Sequence, residues 1–319
     1  MISAPLNCLI IDHMHPSIEP MLHAIGVQAD YQPDLKAEDL KAILPQYDGL
    51  LVRSKVYISK DIVEKADRLR FIGRAGAGVD NIDVAALEQK GITLLNAPEG
   101  NADAVGEFTI GLLLALFRNI AKSDKEVRSY EWQREANRGE EIMGKTIGLI
   151  GYGNMGQAFA HRLAGFNCTV LAYDKNTSLV ADKYAQLVSL EELAAQAEVL
   201  SLHIPYVPEN RHLVNEQFIN AFQNNIWLLN TARGEIVHQR DLVKLLQQGK
   251  IKGAALDVLE NEKLKTLNEE QKADFEYLAQ AENVILTPHI GGWSHQSYVK
   301  INQVLVRKIE AFLKKQLYL

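Results

Sequence analysis

Short apolar, β-rich runs alternate with polar segments of helical periodicity along most of the chain. This alternation constrains the fold more than any other feature. A first train of runs occupies Leu6–Ile11, Val27–Tyr31, Gly49–Arg53, Phe71–Arg74 and Ile92–Leu95, with helical segments such as Asp61–Leu69 and Asp83–Gln89 between them. A second train occupies Thr146–Ile150, Cys168–Tyr173, Val199–His203, Ile226–Asn230, Gly253–Val258 and Val284–Thr287, with starts 22 to 31 residues apart. That interval holds a strand, a crossover helix and two loops. Strict β/α alternation predicts doubly wound parallel sheets. Two such trains within 319 residues predict two α/β domains.

The join between the trains is an apolar helix expected over Ala104–Ile120, opened by Asp103 and greasy enough to be buried. After the second train comes one amphipathic helix, Ser294–Lys315, expected to return to the first domain. The first domain is then discontinuous, residues 1–98 with 290–319, and the second is continuous, residues 99–289. A cleft between two such domains is a favoured ligand site.

Composition closes off other classes. Lys and Arg total 34 against 40 Asp and Glu, a formal charge of −6, the wrong sign for a nucleic-acid-binding surface. No Lys or Arg precedes Lys36, so no secretory or transit signal is expected and the cytoplasm is the expected compartment. The longest greasy run, Ile110–Phe117, falls short of the ~20 apolar residues of a membrane span. Cys8 and Cys168 lie too far apart for a zinc or redox motif, and no metal site is expected.

Gly151-Tyr152-Gly153-Asn154-Met155-Gly156 fits GxGxxG between an apolar strand and a helix expected over Met155–Ala164. Its glycines permit a tight turn, close approach to a pyrophosphate and close helix–strand packing. The helix N-terminus supplies N–H groups to the phosphates. Asp174 ends the next strand, where a carboxylate accepts from a ribose diol and repels a 2′-phosphate; NAD is therefore the expected cofactor, with Lys175 next door weakening the preference. Gly139–Thr146 also matches a P-loop, but a polar segment precedes it and a strand follows, the reverse of the order a P-loop needs.

His203 and His289 sit at C-terminal ends of strands, where ligands bind in open α/β sheets; Arg233, Asp257 and Glu262 follow neighbouring strands. The other seven histidines lie in polar or terminal contexts and are expected at the surface.

Eight ordered stretches together resemble the D-isomer-specific 2-hydroxyacid dehydrogenases: Val52-Arg53-Ser54, Gly73–Asp83, Gly100-Asn101, Gly144-Lys145-Thr146, the glycine loop, Asn230–Gly234, Ala255–Val258 and Thr287–Gly292. Within that family the likeness is greatest to the phosphoglycerate dehydrogenases. The resemblance implies a flavodoxin-like substrate domain and a Rossmann NAD domain with the active site between them. It implies hydride transfer between a D-2-hydroxy acid and NAD, with 3-phosphoglycerate the first substrate to consider. Glyoxylate, hydroxypyruvate or D-lactate is the alternative, and an NAD-sensing dimer without catalysis is a third.

By the same resemblance His289 is the general acid/base, Glu262 its carboxylate partner and Arg233 the anchor of the substrate carboxylate. Gly78 and Val79 offer backbone N–H groups to that carboxylate, and Asn101 is a polar residue on the substrate side. His203, Pro205, Thr231, Ala232, Asp257 and Gly291 join the glycine loop and Asp174 around the cofactor, with Asp257 near the nicotinamide amide. Arg53, Ser54 and Arg74, with Lys55, are expected to form a cationic pocket for a substrate phosphate. The greasy joining helix and the Lys122–Arg138 segment, which carries Trp132-Gln133-Arg134, are expected to form a homodimer interface on the cofactor domain.

Three positions depart from the family pattern. Lys263 stands where a proline usually follows the glutamate, the Glu262–His289 interval is long and carries the charged stretch Asn268–Asp274, and Trp293 replaces a small residue. Trp293 is expected to face the cleft and to bear on substrate size. The 319 residues leave no room for the regulatory domain of longer relatives, so serine feedback through such a domain is not expected.

Overall fold

The computed structural model describes residues 6–316 and divides into two units at Ala102/Asp103 and Gly292/Trp293. The sequence reading placed these boundaries at 98/99 and 289/290.

The first unit holds a five-stranded sheet: β1 Leu6–Ile10, β2 Val27–Tyr31, β3 Gly49–Val52, β4 Phe71–Arg74 and β5 Thr93–Asn96. All pairings are parallel, in the order β2-β1-β3-β4-β5. Alternate residues feed opposite faces, as a strand's period of two requires. Leu9, Ile11, Leu50 and Val52 enter one core, whereas Cys8, Ile10, Leu51 and Phe71 enter another. The last helix, His295–Gln316, adds Ile301, Leu305, Val306 and Ile309 to the second of these cores. Each such side chain contributes about 1.5–3 kcal/mol on burial, enough to draw the chain's end back to this sheet. Gly100 makes the close approach possible: a Cβ there would lie 2.6 Å from the Cα of Ile301. Of the two helical segments expected here, Val84–Lys90 forms with Asp83 as its cap, but Asp61–Leu69 yields only one turn, Lys60–Val63.

The second unit holds a seven-stranded parallel sheet: β6 Thr146–Ile150, β7 Thr169–Tyr173, β8 Gln186–Leu187, β9 Val199–Leu202, β10 Ile226–Asn230, β11 Ile251–Leu256 and β12 Val284–Leu286. The order is β12-β11-β10-β9-β6-β7-β8. Ile147, Leu149, Val199 and Leu229 face one core; Ile150, Leu200, Leu202 and Leu228 face the other. β8, unforeseen from sequence, is a two-residue edge strand, too short to carry a periodic signal.

The joining helix runs from Pro98 to Phe117 rather than over Ala104–Ile120. Pro98, whose fixed φ suits the first helical position, starts it in place of Asp103. It ends at Asn119, which takes a left-handed conformation (φ +52°), and a second helix, Ile120–Arg128, follows. Pro98–Phe117 is longer than the run seen in the sequence, and among the described residues it alone is long and apolar enough to cross a membrane. Its Leu112, Leu113, Leu116 and Phe117 are buried in the core against β6 and the helix Asn154–Leu163.

Strand order reverses at β6/β9 in the second unit and at β1/β3 in the first. Open α/β sheets bind ligands in the crevice at such points, beyond the strands' carboxyl ends.

Candidate active site

The glycine loop leaves the carboxyl end of β6 at the reversal. Gly151 has φ +95°, and a Cβ there would lie 2.6 Å from the His203 carbonyl oxygen, so only glycine fits the turn. A Cβ on Gly156 would lie 2.2 Å from the Gly151 carbonyl oxygen, which enforces close helix–strand packing. Gly153 differs from both, because a Cβ there would meet nothing within 4 Å. Its backbone faces open space, as an approaching pyrophosphate requires. Gly153 also caps the helix Asn154–Leu163 without a side chain, so the N–H groups of Asn154 and Met155 have no capping acceptor. The loop fits a dinucleotide.

Asp174 follows β7 and holds the loop directly: its Oδ2 accepts from the Tyr152 N–H at 2.7 Å and its Oδ1 from Asn176 N–H at 2.8 Å. Two carboxylate oxygens accept about four hydrogen bonds, which leaves capacity for a ribose diol. Lys175 Nζ donates to Asn210 Oδ1 at 3.3 Å, and Asn210 Nδ2 in turn donates to the Pro205 carbonyl. The Tyr152 side chain turns away from the loop. Its ring is fully buried and its hydroxyl donates to Asp182 at 2.7 Å, so no part of its side chain reaches the loop's open face. Burial and the Asp182 carboxylate push the phenol well above its ordinary range.

His203 follows β9. Burial pushes its pKa down to about 3, so the ring is neutral. Its Nε2 lies 2.9 Å from Ser201 Oγ, while the buried Nδ1 has no partner among the described residues.

The most ordered part of the site lies past β11 and β12. Asp257 is almost fully buried and takes three hydrogen bonds from one turn: Thr287 Oγ1 at 2.6 Å and Ile290 N–H at 2.9 Å on Oδ1, and Gly291 N–H at 2.7 Å on Oδ2. Its own carbonyl accepts from the His289 N–H at 2.8 Å. Asp257 therefore frames the turn, and three bonds on its two oxygens leave room for about one more acceptor contact. Gly291, expected at the cofactor, is buried against the Asp257 carboxylate. The turn they build holds His289 at φ +57°, a left-handed conformation that costs a non-glycine residue about 1–2 kcal/mol. Such strain persists where surrounding bonds over-determine it, and it clusters at functional sites.

His289 Nδ1 lies 2.9 and 3.2 Å from the two oxygens of Glu262. The side chains are 44% and 48% exposed, so the dyad is accessible rather than sealed in a core. A carboxylate on Nδ1 holds that nitrogen as the donor and presents Nε2 for proton transfer. The departures near Glu262 leave this pair intact. Lys263 is part of an exposed turn closed by Asn261, and the charged stretch begins a helix, Glu269–Gln280, capped reciprocally by Asn268 and Gln271. Asp274 anchors that helix to Arg240 Nε at 2.8 Å.

Arg233 follows β10. Asn230, which the sequence reading did not single out as a site residue, shapes its loop: Nδ2 donates to the Arg233 carbonyl at 2.9 Å and Oδ1 accepts from Ala232 N–H at 3.1 Å. Gly234 is obligatory, since a Cβ would lie 1.9 Å from the Leu259 carbonyl oxygen. Thr231 Oγ1 meets Thr109 Oγ1 at 3.2 Å. Arg233 Nη1 donates to the Ala232 carbonyl at 2.7 Å.

In the first unit, Gly78 and Val79 lie in a loop after β4 that is pinned by Asn96 Nδ2 on the Ala77 carbonyl (2.7 Å) and by Ala97 N–H on the Gly76 carbonyl (2.8 Å). Their own N–H groups have no acceptor among the described residues, which suits an anion. Asn101 has a buried Oδ1 without a partner among the described residues. The cationic side chains of the expected pocket each contact backbone carbonyls. Lys55 Nζ donates to the carbonyls of Pro33 (2.6 Å) and Leu35 (2.7 Å), and Arg74 folds over Gly76 with Nη1 on the Ala75 carbonyl. Ser54 is exposed beside Arg53. Arg53, at the β1/β3 reversal, donates from its backbone to Asp12 (2.7 Å) and from Nη1 to the His13 carbonyl (3.2 Å).

The P-loop-like segment has a structural use, with Lys145 paired to Glu140 at 2.8 Å and to Glu198 at 3.2 Å. Burial raises both cysteine thiols, which suits inert side chains. Among the described residues no group of three or more His, Cys, Asp or Glu gathers to hold a metal ion.

Residues 110–291 match the family described as D-isomer specific 2-hydroxyacid dehydrogenase, NAD binding domain. The chain is 34% identical over 98% of its length to a D-3-phosphoglycerate dehydrogenase of Methanocaldococcus jannaschii, of which it spans 58%. It is 36% identical over 86% of its length to a hydroxypyruvate reductase of Thermotoga maritima, of which it covers 88%. The crystal structure of D-lactate dehydrogenase from Aquifex aeolicus complexed with NAD and lactic acid superposes with a TM-score of 0.80 at 26% identity, over 98% of this chain and 96% of that one. The chain belongs to the D-isomer-specific 2-hydroxyacid dehydrogenase family, whose NAD-binding domain its second unit carries.

Proposed function

We propose that the chain is an NAD-dependent oxidoreductase acting on a D-2-hydroxy acid, with 3-phosphoglycerate and 3-phosphohydroxypyruvate as its substrate pair. The observation that carries the reading is the His289–Glu262 dyad, held in a strained turn by Asp257 in the same unit as the glycine loop. NAD, when bound, supplies the acceptor for the C2 hydride. The glycine loop, the first turn of the helix Asn154–Leu163 and Asp174 are the residues that would hold it.

His289 removes the proton from the 2-hydroxyl through Nε2 as C2 is oxidised, and returns it in reduction. Glu262 on Nδ1 keeps the ring oriented and stabilises the imidazolium that forms. Positioned acid–base catalysis of this kind is worth ~10²–10⁴ in rate. Arg233 grips the substrate carboxylate and polarises the 2-oxo group.

The phosphorylated substrate is supported by the several relatives named D-3-phosphoglycerate dehydrogenase and by Arg53 at the first unit's strand reversal. It would place the enzyme in serine biosynthesis, in the cytoplasm. A second reading, reduction of hydroxypyruvate or a similar small acid, is favoured by one observation: Lys55 and Arg74 are bound to backbone carbonyls instead of joining Arg53. Initial rates with NAD and 3-phosphoglycerate, and in reverse with NADH and phosphohydroxypyruvate, test the choice. Turnover of hydroxypyruvate or glyoxylate with both phosphorylated acids inert would overturn the phosphate assignment.

The assembly we propose is a homodimer through the second unit. Ile120, Val127, Tyr130 and Trp132 all project from one short stretch, with Tyr130 fully exposed and Trp132 77% exposed. Sedimentation as a monomer across micromolar concentrations would contradict it.

A further inference from the structure

Arg53 has a setting that its position in the sequence does not suggest. The last helix opens at Ser294, whose Oγ accepts from Ser297 N–H at 3.0 Å while Ser297 Oγ accepts from Ser294 N–H at 3.0 Å. This reciprocal cap places Trp293 just before the helix and Tyr298 one turn inside it. Apolar residues at these two positions commonly touch each other as a staple. Here a cation lies over both rings: Arg53 Cζ is 5.0 Å from the centre of the Trp293 ring and 5.2 Å from that of Tyr298. Tyr298 is steadied on its far side by an edge contact to His15, with ring centres 5.5 Å apart. The Arg53 backbone is fixed by Asp12 on its N–H and by Asn81 on its carbonyl.

Two aromatic rings against one guanidinium restrict its plane. A guanidinium carries five N–H donors in that plane. One is used on the His13 carbonyl, and among the described residues the others remain for an acceptor lying in the plane. Such an acceptor is a compact oxyanion. Trp293 is 70% exposed, a large apolar side chain that gains little from burial within its own unit. It lies against the Arg53 guanidinium.

We propose that Trp293 is a specificity-determining residue. With Tyr298 it clamps Arg53 so that the guanidinium fork meets the distal phosphate of the substrate, and it thereby selects phosphorylated acids over their unphosphorylated analogues. The proposal rests on the phosphate reading above. It sharpens that reading, because Lys55 and Arg74 are engaged elsewhere and leave Arg53 to carry the recognition.

The test compares wild type, Trp293→Ala and Trp293→Phe on phosphohydroxypyruvate and hydroxypyruvate, with NADH saturating. Trp293→Ala raises KM for the phosphorylated acid about tenfold or more, with kcat held within about twofold. The KM for hydroxypyruvate moves less than about twofold, and Trp293→Phe, which keeps an aromatic face, restores most of the loss. Melting temperatures and NADH affinity stay at their wild-type values, which separates lost recognition from lost folding. A wild-type preference for the phosphorylated acid that survives Trp293→Ala unchanged, or an equal loss on both acids, overturns the proposal. A wild type that takes both acids equally well sinks the phosphate assignment, and this inference with it.

Discussion

Replacing Asp257 by Asn tests whether the catalytic histidine is placed by the strained turn. The carboxylate accepts three hydrogen bonds on two oxygens, from Thr287, Ile290 and Gly291. An amide keeps one oxygen and puts an NH₂ donor where the other stood. With its oxygen toward Thr287 and Ile290, its NH₂ opposes the Gly291 N–H; flipped, it opposes the Ile290 N–H. Either way at least one bond to a charged group is lost, about 1.5–3 kcal/mol, and two donors face each other. That equals or exceeds the ~1–2 kcal/mol needed to hold His289 at a positive φ. The turn then relaxes and moves the imidazole. A displacement near 1 Å lowers turnover about 10²-fold. Steady-state kinetics should show kcat/KM reduced by about two orders of magnitude. Scanning calorimetry should show a melting temperature lower by about 4–12 °C. NAD affinity by fluorescence titration should stay within about twofold, because the frame of the turn is what changes. A variant within threefold of wild type in kcat/KM, or one that loses NAD affinity at constant kcat, would refute the reasoning.

Gly153→Ala should fold normally, since the added methyl meets no protein atom within 4 Å, yet weaken NAD binding about tenfold or more by occupying the pyrophosphate's approach. Equilibrium titration beside a melting curve checks both halves. Acidification should destabilise the protein through His203. Its folded-state pKa is about 3 against about 6.5 unfolded, so the unfolded chain binds the extra proton between these values. Its contribution is complete above pH ~6.5 and declines as pH falls toward ~3. Melting temperatures from pH 7 to 4.5 should fall less steeply in His203→Gln than in wild type, and parallel slopes would contradict this.

The parts of this protein that were legible in its sequence are those set by local rules. Strand runs such as Thr146–Ile150 and Ile226–Asn230 match the observed strands, because apolar, β-branched residues buried on both faces leave a continuous signal. The glycine loop was readable because the steric needs of Gly151 and Gly156 arise within one βα turn. What stayed hidden depends on contacts between distant segments. Nothing local says that Asp257 binds a turn 30 or more residues later, or that Tyr152 points at Asp182 rather than outward. The three cations of the supposed phosphate pocket shared strand-end positions, but position does not fix where a long flexible side chain goes, and Lys55 and Arg74 found carbonyls close at hand. Trp293 was visible as an oddity, whereas its contact with Arg53 joins opposite ends of the chain. The two-residue β8 and the break at Asn119 are too brief for periodicity to register.

The central claim is that His289, oriented by Glu262, moves the proton at the substrate's 2-position. Single-turnover oxidation followed by NADH absorbance in His289→Asn measures this most directly, because Asn accepts the left-handed backbone at this position better than most residues and so keeps the turn. The account predicts a rate lower by ~10²–10⁴ with NAD affinity and melting temperature unchanged. A rate within tenfold of wild type would contradict it.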